Sequence, residues 1–295
     1  MSLIQDEPVT EVRRPAVRTA APAGRAPIGS SRAPRVRAAL IRALREFVLV
    51  AVLFLAYKAG RVAAAGHVRE ALTNADDVWR FERLLHLPSE YALQQLVIGH
   101  QWLIEAANSY YAYVHFPITA ACLIWLYIWR PAHYVRTRRM LAWLTAAALL
   151  VHLLMPLAPP RMLTAVGMLD TGRLFGPAVY GSPSADTLTN QYAAMPSLHF
   201  GWAVAVAIAF IAATRGRWRW LWLAHPVLTL LVIVVTGNHY WIDALVAGAL
   251  LAVVVSVQAA WSPFRSATRP THPSAVPAQV AAHPGAVPAP RTGEA

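Results

Sequence analysis

The chain has 295 residues, of which 57% are hydrophobic and 14% are charged, roughly half the charged fraction of an average soluble domain. This composition excludes a soluble globular protein and predicts an integral membrane protein. The net charge of +12 is carried almost entirely by arginines. Because most of them flank apolar segments, we interpret the charge as a topology signal and expect no nucleic-acid partner.

The two ends of the chain are polar. Residues 1–38 are rich in Arg and Pro, and residues 262–295 are rich in Pro and Ala. Neither segment has enough large apolar side chains to form a core, so we predict two disordered tails. Between the tails, residues 39–261 are predicted to form one membrane domain.

Six apolar segments of this domain are long enough to cross a bilayer, which takes about twenty residues. In chain order they cover residues 47–65, 102–129, 140–157, 197–213, 218–236 and 240–261. Residues 76–85 have helical apolar spacing with polar residues opposite, which predicts a helix along the membrane surface. The predicted fold is therefore all-α, a bundle of six transmembrane helices with one interfacial amphipathic helix.

The arginines predict the orientation of this bundle. With a cytoplasmic N-terminus, the segments on the cytoplasmic side hold 19 arginines and those on the opposite side hold six. The short basic loops 130–139 and 215–219 both agree with this orientation, because arginine is enriched on the cytoplasmic side. We therefore expect both tails in the cytoplasm, and a plasma-membrane protein whose segments 197–213 and 240–261 begin at the extracytoplasmic surface.

Three motifs with ionisable residues lie where apolar segments meet that surface. Pro159-Pro160-Arg161 follows the third segment, Pro196-Ser197-Leu198-His199 opens the fourth, and His239-Tyr240-Trp241-Ile242-Asp243 opens the sixth. Ionisable groups are costly near hydrocarbon, so their presence there indicates a functional site.

These residues have the chemistry of phosphate transfer. His239 and Asp243 are four residues apart and share one helix face, so Asp243 can orient the imidazole as a nucleophile. His199 can act as a general acid because imidazole titrates near neutral pH. Arg161 offers a planar guanidinium to phosphate oxygens, and the helix N-terminus at Ser197 adds amide donors. The set predicts a reaction through a covalent phosphohistidine.

Two other classes of function remain open. His199, His239 and Asp243 can also ligate zinc in a metal-dependent membrane hydrolase. A membrane transporter or proton relay is the third alternative, and it predicts ionisable residues at mid-membrane depth on several spans.

On these motifs the chain resembles the type 2 phosphatidic acid phosphatase superfamily, and within it the inositol phosphorylceramide synthase-like phosphotransferases. Residues 196–199 are similar to the P-S-G-H block, with Leu in place of Gly, and residues 239–243 match the final H-x3-D block. The resemblance covers residues 75–255. It implies a six-helix bundle that acts on a lipid phosphate and needs no metal or cofactor. In this family pattern His239 is the nucleophile and Asp243 orients it. His199 is the general acid, and Arg161 is a phosphate ligand.

The chain departs from the family pattern at two phosphate-binding positions. The first block of the broader family is K-x6-R-P, whereas Leu154 and Met162 occupy the Lys and Pro positions here. Val232-Ile233 replaces the usual S-R of the third block. The inositol phosphorylceramide synthase-like branch tolerates this pattern, and the candidates for the missing cations are Arg173, Arg61 and Lys58. Both water and a second alcohol such as inositol remain possible acceptors.

Other polar residues are predicted to be structural. Asn108, Tyr111 and His115 recur on one face of the second segment, and we interpret them as interhelical hydrogen-bonding groups. Glu82 and Asp77 are interpreted as part of the solvated face of the interfacial helix. Cys122 lies inside an apolar segment and is predicted to be buried and inert.

Overall fold

The computed structural model describes residues 32–63, 67–179 and 191–267, and these residues are mostly helical, with no β-sheet among them. The all-α prediction is therefore confirmed for the described part of the chain. The helices are α1 (Arg32–Ala63), α2 (Val68–Leu84), α3 (Glu90–Ile98), α4 (Gln101–Ser109), α5 (His115–Trp129), α6 (Pro131–Leu154), α7 (Thr171–Phe175), α8 (Leu198–Ala213), α9 (Ala224–Val235) and α10 (Trp241–Ala267). A π-helical turn, Tyr110–Val114, joins α4 to α5, and a 3₁₀ helix, Arg217–Leu223, leads into α9.

The chain divides into two compact units at residue 52. Of the first unit, the structure describes the N-terminal part of α1, which begins at Arg32 within the predicted N-terminal tail. The second unit contains the end of α1 and all the other helices. Most of the two predicted tails, residues 1–31 and 268–295, lies outside the described residues.

Among the residues that the structure describes, four helical segments are long and apolar enough to cross a membrane: Gln101–Trp129, Pro131–Leu154, Arg217–Val235 and Trp241–Trp261. They correspond to the second, third, fifth and sixth predicted segments. The fourth forms α8, whose 16 residues span about 24 Å, less than the roughly 30 Å of the hydrocarbon core. The first lies in α1 and continues into residues 64 and 65, which are outside the described part. The protein is an integral membrane protein, and six spans remain a prediction.

Helix α8 lies at the centre of the second unit. It packs against α5, α6, α9 and α10. Small side chains allow this close approach, and a Cβ added at Gly201 would lie 2.9 Å from Leu144 Cδ2 of α6. Five of its residues are almost completely buried, Ala203, Ala205, Val206, Ala207 and Ala209. The bundle therefore holds His199, in the first turn of α8, in a fixed position.

The predicted interfacial helix is the C-terminal part of α2. The buried apolar side chains of α2, Ala71, Ala75 and Val78, belong to an apolar cluster that also contains Tyr240. The structure corrects one prediction for this helix. Asp77 is exposed as expected, whereas Glu82 is 0% exposed and does not belong to a solvated face. The cause is that α2 is covered on this side by the start of α10.

The loop that follows α6 and the loop that precedes α8 are bonded to each other, and the first of them is also bonded to α2. Leu157 and Ala193 form a parallel bridge, in which Leu157 N donates to Tyr192 O at 2.8 Å and Ala194 N donates to Leu157 O at 3.1 Å. Ala158 N donates to Ala71 O in α2 at 3.1 Å. These bonds bring the chain before Arg161 next to the chain before His199, so the first two motifs meet.

Candidate functional site

His239 and Asp243 form the predicted pair at the start of α10. His239 Nδ1 lies 2.8 Å from Ala194 O and 3.2 Å from Asp243 Oδ2. A carbonyl oxygen can only accept a hydrogen bond, so Nδ1 carries the proton and donates it. The other ring nitrogen, Nε2, then has no proton and presents its lone pair. This is the tautomer that a nucleophilic histidine needs.

Asp243 is held in place by the backbone on two sides. Its Oδ2 accepts a hydrogen bond from Tyr240 N at 2.9 Å. Its main-chain oxygen accepts from Ser197 N at 3.0 Å, which ties the start of α10 to the start of α8. The side chain is 0% exposed. The second and third sequence motifs are therefore connected through the residue predicted to orient His239.

The protonation state of His239 is set mainly by burial. The residue is 5% exposed, and burial lowers its pKa to about 3; the bond to Ala194 O opposes this shift and the positive charge of Arg161 adds to it. The low pKa keeps the imidazole neutral at physiological pH. A neutral ring is required for attack on phosphorus, because protonation would remove the lone pair of Nε2.

His199 lies beside this pair in the first turn of α8. The centroids of its ring and the His239 ring are 5.9 Å apart. Its ring also stacks on Tyr111 at 4.3 Å and contacts His115 at 4.8 Å. Tyr111 is in the π-helical turn and His115 follows it, and such turns are frequent at functional sites. The predicted polar stripe of the second segment thus contacts the candidate general acid.

Arg161 reaches the same site from a 3₁₀ turn. Its Nη1 donates to Asn238 Oδ1, and its Nε lies 3.5 Å from Asp170 Oδ2. Its backbone N donates to Gly237 O at 3.1 Å. Gly237 has a φ of +67°, and a Cβ there would lie 3.1 Å from Arg161 Cβ. Glycine therefore allows the chain just before His239 to approach Arg161 closely.

A cleft beside Arg161 contains the second predicted cation. Arg173, in α7, has its Nε 3.9 Å from the Asp170 Oδ2 atom that also faces Arg161. Other polar side chains that line the cleft are Asn108, Tyr111 and Asn238. Lys58 is not among the lining residues, and the side chain of Arg61 lies outside the described part of the chain. Of the three candidate replacements, the structure brings Arg173 next to Arg161.

Ser197, predicted as a phosphate ligand, caps α8. Its Oγ accepts from Phe200 N at 3.4 Å, a bond typical of an N-cap serine. The residue is 0% exposed and is not among the residues that line the cleft. The structure thus places Ser197 beneath the site, where it supports the helix that carries His199. Direct contact with phosphate remains a prediction.

Several residues of the site were missed in the sequence. Asp170 and Asn238 face Arg161, and the loop that carries Asp170 is fixed by two buried amides. Gln94 Nε2 donates to Leu169 O at 3.1 Å, and Asn108 Nδ2 donates to Thr171 O at 2.9 Å. Asn108 lies inside an apolar segment, and a polar side chain in such a place is a usable sequence signal. Asp170 and Gln94 carry no such signal, because their roles depend on contacts with distant parts of the chain.

Comparison with models of known protein families matches residues 76–257 to the PAP2 superfamily. The match covers more than half of the 295 residues, and the chain belongs to the PAP2 superfamily. The resemblance based on the motifs is confirmed at this level. Searches of curated proteins and of solved structures gave no match. Membership indicates phosphatase or phosphotransferase activity on phosphoesters.

Proposed function

We propose that the protein is a lipid phosphatase or phosphotransferase that works through a phosphohistidine on His239. The observation that carries the proposal is the pair of acceptors on His239 Nδ1, the main-chain oxygen of Ala194 and the carboxylate of Asp243. They fix the tautomer and leave Nε2 as the nitrogen that attacks. The role of Asp243 is to hold the ring and to stabilise the positive charge that develops on it.

The reaction has two steps. In the first, His239 Nε2 forms a bond to phosphorus while the bond to the lipid oxygen breaks, and His199 donates a proton to that leaving oxygen. In the second, an acceptor hydroxyl attacks the phosphohistidine, His199 takes its proton, and the bond between Nε2 and phosphorus breaks. The acceptor is water in a phosphatase and a second alcohol in a phosphotransferase. Both residues return to their starting state.

Arg161 and Arg173 are the proposed ligands of the phosphate oxygens. Arg161 is the cation that the first motif retains, and Arg173 is the candidate for one of the two cations that the motifs of this chain lack. A guanidinium suits the charge and geometry of phosphate. Asp170 lies between them, so it balances their charges and keeps them close together. Ser197 supports the site through the N-terminus of α8, whose amides favour an anion.

The substrate class follows from the membrane and the cleft. The site belongs to an integral membrane protein, so the proposed substrate is a lipid phosphoester. The two arginines that line the cleft, Arg161 and Arg173, suit the phosphate of such a lipid. The missing family cations are consistent with the inositol phosphorylceramide synthase-like branch.

The proposed topology has six spans, with α8 as the fourth and the apolar part of α1 as the first. The arginine distribution supports cytoplasmic termini and an extracytoplasmic site in the plasma membrane. Short α8 is compatible with this arrangement because neighbouring helices, rather than lipid, surround most of it.

The geometry favours the phosphohistidine mechanism over the metal-dependent alternative. In the described ranges, no three His, Cys, Asp or Glu side chains are arranged to hold a metal ion. Asp243 instead uses Oδ2 to accept from Tyr240 N and from His239. Turnover that is unchanged after treatment with a chelator is the expected result. The transporter alternative has no comparable support, since family membership indicates phosphoester chemistry.

A trapping experiment tests the proposal. Purified protein in detergent is mixed with lipid phosphates labelled on phosphorus and quenched, and free phosphate and transferred headgroup are measured separately. We expect an acid-labile, base-stable label on the wild type and no label on His239→Ala. His100→Ala is the matched control, because His100 is an exposed histidine outside the cleft. Label that persists on His239→Ala would contradict the assignment of the nucleophile.

A further inference from the structure

A pair of buried acids lies behind His239 and Asp243. Glu82 of α2 is 0% exposed and Glu90, the first residue of α3, is 1% exposed. Glu82 Oε1 accepts a hydrogen bond from Ile242 N, next to Asp243, at 2.8 Å. The carboxyl group of Glu90 lies close enough to that of Glu82 to influence its charge. The pair therefore connects three helices at the point where α10 begins.

The charges around Glu82 and Glu90 require that the two carboxyl groups share one bound proton. Glu82 Oε2 and Glu90 Oε1 are buried and find no N–H or O–H donor, and two ionised carboxylates in contact would repel each other without solvent to screen them. Arg83 is the neighbouring cation, with Nη2 3.2 Å from Glu90 Oε2 and 3.9 Å from Glu82 Oε2. One proton on the pair supplies the missing donor and leaves a single negative charge, which Arg83 balances.

The surroundings of Glu82 favour the protonated form. Burial raises the pKa of Glu82 to about 9, the hydrogen bond and charge of Glu90 and the charge of Asp243 add to the shift, and the bond from Ile242 N opposes it. The hydroxyl of Tyr240 is also buried near these acids and has no hydrogen-bond partner. A neutral Glu82 keeps its acceptor for α10 without placing a second full negative charge beside Asp243.

We propose that Glu82 is a positioning residue of the site: as a protonated acid bonded to Glu90, it holds the N-terminus of α10 and thereby the His239–Asp243 pair. This inference rests on the proposed function, because it concerns the alignment of the proposed nucleophile. The first amides of a helix have no partner within the helix, and Glu82 satisfies that of Ile242 from an element 160 residues away. Loss of this acceptor would leave a partly buried donor unsatisfied and loosen the start of α10.

Two substitutions separate the proton from the hydrogen bond. E82Q keeps an acceptor for Ile242 N and gains an N–H donor toward Glu90, so it imitates a protonated acid. E82L has a similar size and lacks both. The matched control is D77N, an exposed acid of the same helix. All three variants are compared with the wild type in detergent.

Infrared spectroscopy detects the proton on the Glu82 carboxyl group directly. We expect the wild type and D77N to show a carbonyl band of a buried, protonated carboxyl at neutral pH, and E82Q to lose it. Hydrogen exchange reports how stably the start of α10 is held, and we expect faster exchange over residues 239–245 in E82L but not in E82Q. A wild type without the band, or an E82L variant with unchanged exchange, overturns the proposal.

Kinetics then reads the effect on the site. We expect E82Q to keep kcat within about threefold of the wild type and E82L to lose about tenfold or more in kcat, with little change in KM. An E82Q variant as impaired as E82L would mean that Glu82 acts as a charge and would overturn the proposal. If E82L does not give monodisperse protein, the band and the turnover of E82Q still decide it. If the wild type cleaves no lipid phosphate, the proposed function fails. The infrared and exchange results then still test whether Glu82 is protonated and holds the start of α10.

Discussion

The two sides of the candidate site differ in how firmly they are held. On the nucleophile side, the side chains of His239 and Asp243 are bonded to main-chain atoms and are almost fully buried. On the phosphate side, Arg161 and Arg173 face one aspartate at 3.5 and 3.9 Å, and the side chain of Arg173 is 45% exposed. The fold itself therefore holds the nucleophile in alignment, whereas the exposed side chain of Arg173 can move to meet the phosphate.

This difference separates the roles of the two sides. Groups aligned in advance stabilise the transition state without reorganisation, so changes on the nucleophile side are expected to reduce kcat. Groups that move to contact the substrate contribute to its binding in the ground state as well, so loss of Arg173 is expected to raise KM. The variants below test whether the two sides separate in this way.

The largest effect is expected for His239→Ala, because no other group can form the covalent intermediate. We expect kcat to fall by at least about 10⁴-fold, and the double variant with Asp243→Asn to be little worse, since residues that act as a unit are not additive. Steady-state turnover of a lipid phosphate measures both. Losses that multiply fully would show that Asp243 acts independently of His239 and would contradict the pairing.

The next largest effect is expected for His199→Ala, and it depends on the leaving group. A lipid alcohol is a poor leaving group and needs a proton, so we expect a loss of about 10³-fold. An activated aryl phosphate needs little protonation and should lose much less. The ratio of the two rates is the measurement. If His239→Ala retains turnover of the aryl phosphate while His199→Ala loses it, the two histidines have the opposite roles.

A smaller effect is expected on the phosphate side. The side chain of Arg161 is 4% exposed and donates to Asn238, so Arg161→Ala should lower kcat/KM by about 50-fold, the loss expected for one or two charged hydrogen bonds. Arg173→Ala should lower it about fivefold, mainly through KM. Arg80→Ala, an exposed arginine of α2, is the control. Equal losses in kcat for Arg161→Ala and Arg173→Ala would remove the distinction between the fixed and the mobile cation.

The nucleophile side was largely predictable from the sequence. The spacing of His239 and Asp243 fixes their relation within a single helical turn, so the contact at 3.2 Å needs no knowledge of the rest of the fold. The position of His199 at a helix start followed from Pro196 and Ser197 in the same way. These are local relations, and local geometry is what spacing in a sequence reports.

Other parts could not be predicted because they depend on which elements meet. Glu82 has the sequence spacing of a solvated face, but α10 covers it. Helix α8 also depends on its neighbours. Its 16 residues are too few for an isolated span, but four other helices pack against it. Asp170 contacts both arginines only because Gln94 and Asn108 fix its loop. Such contacts join residues far apart in the chain, and a single sequence carries no pattern for them.

The smallest effect concerns stability. The unfolded chain binds a proton at His239 near its ordinary pKa of about 6.5, whereas burial lowers the folded-state pKa to about 3. Between these values the unfolded state holds more protons, so stability must fall as the pH drops through this window. His239→Gln removes the titration, and from about pH 7 to about pH 5 its thermal midpoint should fall by a few degrees less than that of the wild type. The exposed control His100→Gln should follow the wild type. An equal fall in all three proteins would mean that His239 is not held neutral by burial, which would remove the physical basis for treating it as a nucleophile that is ready at neutral pH.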